Sequence, residues 1–229
     1  MESTPPQSPQ EPAGPTLGWL AREIEEELPA LCLHSAQAQL ARTRSPTGAS
    51  PPEVIARLRE RANRLRGARA VALRREPIPA AYRLFFRQIG LDPDVVRTPV
   101  EQVALGRMFA GGLPSEGLLA DLLLIALVDT GVPVWALDTQ FLDGPLGIRA
   151  SREGELLGRF VDARALPGAR LVVADACAAL AILFGELAAG HEPQADTRTV
   201  TLFSVQVAGV PTLYVEEALW SVRTGLEAA

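Results

Sequence analysis

The hydrophobic pattern of this chain changes at Gly131, and that change limits the folds open to it. Before Gly131, apolar residues recur every three or four positions, which is the spacing of a helix with one buried face. After it, the apolar residues fall into short runs typical of strands, at residues 132–137, 146–150, 170–174, 179–184 and 199–207. A helical first half followed by a strand-rich second half predicts an α+β fold, a β-sandwich-like core of mixed or antiparallel strands covered by helices.

Two capping sequences indicate where helices begin. SPPE at residues 50–53 and TPVE at 98–101 each place a hydroxyl residue three positions before a glutamate, with proline at the first helical position. The helices predicted in this way and from apolar spacing cover residues 51–65, 78–89, 115–130 and 214–226, and a further helix begins at Pro99.

The region before residue 40 predicts one more helix and one strand. Leu17, Leu20, Ile24 and Leu28 have helical spacing, whereas residues 31–40 read as a strand that ends at a turn-rich segment. Residues 1–15 are rich in proline, serine and glutamine, a composition that buries too little surface to offset its ordering entropy. We therefore expect a disordered tail over residues 1–15 and a single domain over residues 16–229.

Composition excludes several kinds of chemistry. All 22 basic residues are arginine, so no lysine can form a Schiff base. Cys32 and Cys177 stand far apart, and His34 and His191 are the only histidines, so the spacing supports no metal site and no cofactor is expected. There is no secretory start and no apolar run of about 20 residues. We expect a soluble cytoplasmic protein with reduced thiols and no membrane partner.

Five short sequences together resemble one known family. They are TGVPVWALD at residues 130–138, GPLGIRA at 144–150, GE at 154–155, YRLFFRQIGLDPDVVRTP at 82–99 and DT at 196–197. Taken together, they resemble the B3/B4 domain, the editing module of the phenylalanyl-tRNA synthetase β subunit, and most closely its free-standing relatives. The resemblance runs from about Pro29 to the C-terminus and implies the same α+β fold.

The resemblance also implies a site and a partner. The family's pocket accepts tyrosine wrongly attached to the phenylalanine tRNA and hydrolyses the ester. Carried over position by position, its pocket residues are Trp135, Asp138, Gly185 and Phe203. Trp135 stands where the family has a histidine, and Phe203 where it has the glutamate that reads the tyrosine hydroxyl. Since a site selective for tyrosine needs a buried acceptor for that hydroxyl, we infer that tyrosine editing is lost or that the pocket prefers another ligand. Alternatively, Trp135 and Phe203 simply fill the core.

An arginine-rich helix face is the strongest electrostatic feature. Residues 57–75 hold eight arginines and one glutamate, and Arg57, Arg61 and Arg64 share a helix face. This face predicts an RNA-binding surface, although an ordinary solvated face has the same pattern. The net charge of −5 argues against a protein whose whole surface binds nucleic acid.

Two aspartates within apolar runs, Asp121 and Asp175, are further candidates for a site. Each can equally cap a helix or pair with an arginine, for which Arg149 is a candidate partner. His34 and His191 have no nucleophile nearby in sequence and are expected to be structural or exposed.

Two functions follow from these patterns. The first is a stand-alone module that binds tRNA or aminoacyl-tRNA, with deacylation in trans left open. The second is a non-catalytic module that binds a small ligand or a protein through a filled or remodelled pocket.

Overall fold

The computed structural model describes residues 14–65 and 72–228. Residues 1–13 of the predicted tail, and Arg66 and Arg69 of the arginine-rich stretch, lie outside these ranges. The described residues form six α-helices and ten strands. The helices are α1 (Arg22–Glu27), α2 (Pro52–Arg64), α3 (Pro77–Gln88), α4 (Pro99–Ala110), α5 (Leu118–Thr130) and α6 (Thr212–Ala228).

Most strands follow Gly131, as the hydrophobic pattern predicts. The strands are β1 (Thr16–Leu17), β2 (Trp19–Leu20), β3 (Cys32–Gln39), β4 (Val134–Asp138), β5 (Gly147–Ala150), β6 (Leu156–Leu157), β7 (Arg164–Ala165), β8 (Leu171–Ala174), β9 (Ala179–Ile182) and β10 (Thr199–Gln206). They form two sheets of antiparallel and mixed strands, so the predicted α+β fold is confirmed.

The first sheet is entirely antiparallel, with strand order β1-β3-β10-β4. Its centre is the pair β3 and β10, whose registers run from Cys32 opposite Gln206 to Gln39 opposite Thr199. The C-terminal helix α6 packs against both of these strands. Helix α5 packs between α6 and α2, which explains why its sequence is apolar on nearly all sides.

The second sheet is mixed, with strand order β2-β5-β8-β9-β6-β7. Strands β2 and β5 run parallel, as do β6 and β9, and the remaining neighbours are antiparallel. Gly18 is the single residue between β1 and β2, where the chain passes from one sheet to the other. A Cβ there would lie 2.4 Å from the carbonyl oxygen of Leu146, so only glycine fits.

One apolar core joins the two sheets and the helices. It includes Leu33 and Leu202 of the first sheet and Ile148 and Val173 of the second. Helix α3 adds Tyr82, whose hydroxyl donates a hydrogen bond of 2.9 Å to the carbonyl oxygen of Val205. Full burial raises the pKa of Tyr82 far above its ordinary value, so this hydroxyl stays a donor.

Two local predictions are wrong. Leu17 and Leu20 lie in β1 and β2 rather than in a helix, and only Arg22–Glu27 is helical in that region. Ser50 does not cap α2, whose N-cap is Pro51, because its hydroxyl donates to Asp121 instead, at 2.6 Å. The second capping box forms as predicted, with Thr98 and Glu101 each accepting from the backbone of the other.

Neither a membrane span nor a metal cluster is found within residues 14–65 and 72–228. None of the helices there has both the length and the apolar character needed to cross a bilayer. No group of three or more histidine, cysteine, aspartate or glutamate side chains in those ranges could hold a metal ion.

Candidate functional site

Trp135 and Phe203 lie side by side in the first sheet. They occupy opposite register positions on β4 and β10, so their side chains project from the same face. Their rings stack with centroids 5.6 Å apart and planes 14° apart. Phe203 is buried at 1% exposure, whereas Trp135 is half-buried. Phe203 therefore belongs to the core, and Trp135 covers it.

Phe184 connects this stack to helix α3. Its ring centroid lies 5.6 Å from that of Trp135, and 5.5, 5.7 and 5.3 Å from those of Tyr82, Phe85 and Phe86. Phe184 follows β9 in a tight turn and has a φ of 58°, a left-handed conformation that favours glycine. The aromatic contacts hold it there at a cost in backbone energy.

An open cleft of about 700 Å³ begins at this cluster and continues between helices α4 and α5. Trp135, Phe184 and Gly185 form one end of it. Its walls are mainly aliphatic, with Val103 of α4, Leu113 of the connecting loop, and Leu123, Leu124 and Leu127 of α5. Its polar lining residues are Gln102, Arg107, Glu116, Asp121 and Glu186. The cleft therefore suits a largely apolar ligand that also carries a polar or charged group.

Asp138 does not join Trp135 at the cleft. The two residues are three apart on β4, so their side chains project from opposite faces of the sheet. Asp138 is buried and accepts hydrogen bonds from the backbone and side-chain nitrogens of Gln140, at 3.1 and 3.0 Å, and from the Thr197 hydroxyl. Of the four carried-over positions, Trp135 and Gly185 line the cleft, Phe203 backs it, and Asp138 lies elsewhere.

Asp121 lines the cleft, but its hydrogen bonds are structural. Its carboxylate accepts from the hydroxyls of Ser50 and Ser115 and, at 3.0 Å, from the backbone nitrogen of Glu116. These bonds tie two loops to the first turn of α5, where a negative charge also stabilises the helix dipole. No arginine pairs with Asp121 among the described residues.

Beside the second sheet, Asp175 and Glu155 each pair with an arginine, and Glu186 pairs with Arg164 of β7. Asp175 pairs with Arg159 and also accepts from the backbone nitrogens of Cys177 and Ala178, both at 2.8 Å. Arg149, considered above as a partner for these aspartates, pairs instead with Glu155. The hydrogen bond from Arg149 holds the pKa of Glu155 below its ordinary value, so the pair is charged at neutral pH.

Cys177 and the two histidines show no arrangement for nucleophilic catalysis. A hydrogen bond to Asp143 raises the pKa of Cys177, which disfavours the reactive thiolate. His34 shares a hydrogen bond of 2.8 Å with Gln206, and His191 is buried beside the rings of Phe160 and Phe141.

The arginine face of α2 is largely engaged by acids of the same protein. Arg61 contacts Asp129 at 2.7 Å and Glu60 at 2.6 Å, and Arg64 contacts the same two residues at 3.4 and 3.0 Å. The hydrogen bond to Asp129 raises the pKa of Arg61. Arg57 forms no ion pair with any other described residue. The RNA-binding role predicted for this face stays a prediction.

Helix α4 and its following loop form a cleft wall that the sequence did not predict as part of the site. No local sequence pattern marks this wall, although Gly106 of α4 lines it. A Cβ added at Gly106 would meet no atom within 4 Å.

Among known proteins, β subunits of phenylalanine–tRNA ligase share sequence similarity with this chain. No protein-family model matches the chain. The β subunit of phenylalanine–tRNA ligase from Xylella fastidiosa is 34% identical over 116 residues in strain 9a5c and 33% identical over 116 residues in strain Temecula1. That of Xanthomonas axonopodis pv. citri is 35% identical over 95 residues.

Across about half of its length, this chain resembles the phenylalanine–tRNA ligase β subunit. The matches cover 50% of this chain with the two Xylella sequences and 41% with the Xanthomonas sequence. They cover only 14% and 12% of those relatives, so the matched part of this chain corresponds to a small segment of those longer proteins. The similarity supports a module related to a tRNA synthetase.

Proposed function

We propose that this chain binds tRNA or aminoacyl-tRNA and that the cleft beside Trp135 receives the aminoacyl end. The observation that carries the proposal is that Trp135 and Gly185, two positions matched to the editing pocket of the synthetase module, line an open cleft rather than a filled core. Its volume of about 700 Å³ falls within the roughly 300–1,000 Å³ typical of small-ligand sites.

The lining of the cleft suits an amino acid joined to tRNA through its carboxyl group. Such a group presents an apolar side chain and a positively charged α-ammonium. The aliphatic walls from α4 and α5 would bury the side chain. Of the two glutamates that line the cleft, Glu186 is paired with Arg164, so the carboxylate of Glu116 would provide the counter-charge.

The same geometry argues for binding without tyrosine editing. Phe203 is buried behind Trp135 and offers no acceptor, so a tyrosine hydroxyl brought there would lose its hydrogen bonds to water without replacement. Trp135 has one N–H donor and no group that accepts a proton, so it cannot act as a general base. We therefore propose that the module recognises an aminoacyl group with an apolar side chain.

A substitution that fills the cleft tests this proposal. Gly106→Leu places a side chain into open space at the wall, since nothing lies within 4 Å of an added Cβ. Gly106→Ala is the matched control, because it makes the same improvement in helix propensity and adds only a methyl group. Affinities for phenylalanyl-tRNA and for uncharged tRNA are then compared by filter binding.

We expect the wild-type protein and Gly106→Ala to prefer the charged tRNA, and Gly106→Leu to lose that preference. If charged and uncharged tRNA bind equally to all three proteins, the cleft does not receive the aminoacyl group. Binding of small apolar ligands, seen as a rise in melting temperature without any affinity for tRNA, would instead show a small-ligand module.

A further inference from the structure

Three exposed arginine residues lie together at one end of the first sheet. Arg42 and Arg44 follow β3, and Arg198 immediately precedes β10. Because β3 and β10 are antiparallel neighbours, the end of one strand meets the start of the other. All three arginine residues are exposed, and none forms an ion pair with another described residue.

This end of the sheet is held in place by backbone contacts. The nitrogen of Leu40 donates to the carbonyl oxygen of Arg198 at 2.9 Å, which closes the strand pair. The guanidinium of Arg198 in turn donates to the carbonyl oxygen of Arg44, also at 2.9 Å. Arg198 is thereby positioned with further N–H donors that this bond does not use.

A groove runs from this position along the sheet. One part, of about 540 Å³, is lined by Gln39, Leu40, Arg42, Arg198 and Thr199, and none of these described lining residues carries a carboxylate. The adjoining part, of about 410 Å³, shares Gln39, Arg198 and Thr199 with the first. It adds the amides and hydroxyls of Gln37, Thr139, Gln140 and Thr197, together with Asp138 and Asp196.

We infer that this groove, defined by Arg42 and Arg198, contacts the sugar–phosphate backbone of RNA. Arginine donates to phosphate through two parallel N–H groups, and neutral amides and hydroxyls beside it can bond the 2′-hydroxyls that distinguish RNA from DNA. None of the described residues that line the two parts of the groove is aromatic, so stacking on bases is not expected. Recognition would be of the backbone and independent of sequence.

The two carboxylates of the adjoining part differ in their availability. Asp138 is buried, and both its oxygens accept hydrogen bonds from Gln140 and Thr197. Asp196 is exposed and lines only the adjoining part. On helix α2, by contrast, Arg61 and Arg64 already contact Asp129 and Glu60. RNA would have to compete with those carboxylates for Arg61 and Arg64. It would face no such competition at Arg42.

The inference rests on the proposed tRNA binding and is tested by three pairs of charge-neutralising substitutions in the full chain. The groove pair is Arg42→Gln with Arg198→Gln, and the helix pair is Arg61→Gln with Arg64→Gln. The matched control is Arg152→Gln with Arg170→Gln, which removes the same charge from exposed positions beside the second sheet. Thermal melting verifies that each variant is folded.

The affinity for bulk tRNA is measured by filter binding over a series of salt concentrations. For the groove pair we expect affinity at low salt to fall by roughly 10-fold or more, and the slope of log affinity against log salt to flatten by about 1 to 2. The control pair should stay near wild type, because long-range charge alone is screened.

Each other result overturns the inference in a distinct way. If the groove pair binds like wild type while the helix pair loses affinity, the RNA surface is the face of α2. If the control pair loses as much as the groove pair, only net charge matters. Wild-type protein that does not bind tRNA would remove the proposed function together with this inference.

Discussion

Phe184 offers a direct test of how the aromatic cluster is held against backbone strain. We compare Phe184→Ala with Phe184→Gly. Both remove a half-buried ring that lies within 5.3–5.7 Å, centroid to centroid, of four other aromatic rings. They differ in whether the new residue tolerates the φ of 58° and in the freedom of the unfolded backbone.

The size of each effect follows from the structure. Removing a fully buried phenylalanine ring costs about 3–5 kcal/mol, and half-burial lowers this to roughly 2–3 kcal/mol for either variant. Relief of the left-handed strain favours glycine by about 1–2 kcal/mol, and its greater freedom when unfolded offsets about 0.5–1 kcal/mol of that. We therefore expect Phe184→Gly to be the more stable variant by roughly 0.5–1 kcal/mol.

Urea unfolding monitored by circular dichroism measures this difference. The comparison at Gly106 provides a control of opposite sign, because Gly106 is helical and its replacement by alanine should raise the free energy of unfolding by up to about 1 kcal/mol. If Phe184→Ala equals or exceeds Phe184→Gly in stability, residue 184 is not held in a left-handed conformation, and the description of the cluster is wrong.

Three further predictions concern ion pairs and chemistry. Arg83→Met removes the partner of Glu101, whose side chain is 9% exposed, and should lower the free energy of unfolding by about 3–5 kcal/mol, measured by thermal unfolding. Adding Glu101→Gln to this variant should restore part of that loss. The depressed pKa of Glu155 predicts that the stability contributed by its pair with Arg149 is complete near neutral pH and is lost as pH falls through the acid range. In the Arg149→Gln variant, the free energy of unfolding should therefore depend less on pH in the acid range. Deacylation of tyrosyl-tRNA for phenylalanine should stay at its spontaneous rate, and a faster rate abolished by Trp135→Ala would contradict our account of the pocket.

The sequence was informative where local chemistry decides the structure. The helix predicted at residues 78–89 is Pro77–Gln88, and the capping box at Thr98 forms, because apolar spacing and caps act within a few residues. Ser50 has the same capping pattern but does not cap its helix, because its hydroxyl donates a hydrogen bond to Asp121, which lies 71 residues away in sequence. Leu17 became part of a strand for a similar reason, as β3 pairs with it.

The candidate site was predictable only in part. The motif containing Trp135 and the segment ending at Gly185 both contribute to the cleft, and strand pairing places Phe203 beside Trp135. Successive side chains of a strand project from opposite faces, so the three-residue spacing of Trp135 and Asp138 already places them on different faces of the sheet. The wall from α4 could not be predicted, because no local pattern specifies which distant helix faces a strand.

The central claim of this account is that the module binds tRNA, and a salt titration of the wild-type protein with bulk tRNA tests it most directly. Contacts with several phosphates release counterions, so we expect measurable binding at low salt that weakens with a log–log slope of roughly −2 or steeper. Absent binding, or binding that does not change with salt, would contradict the claim.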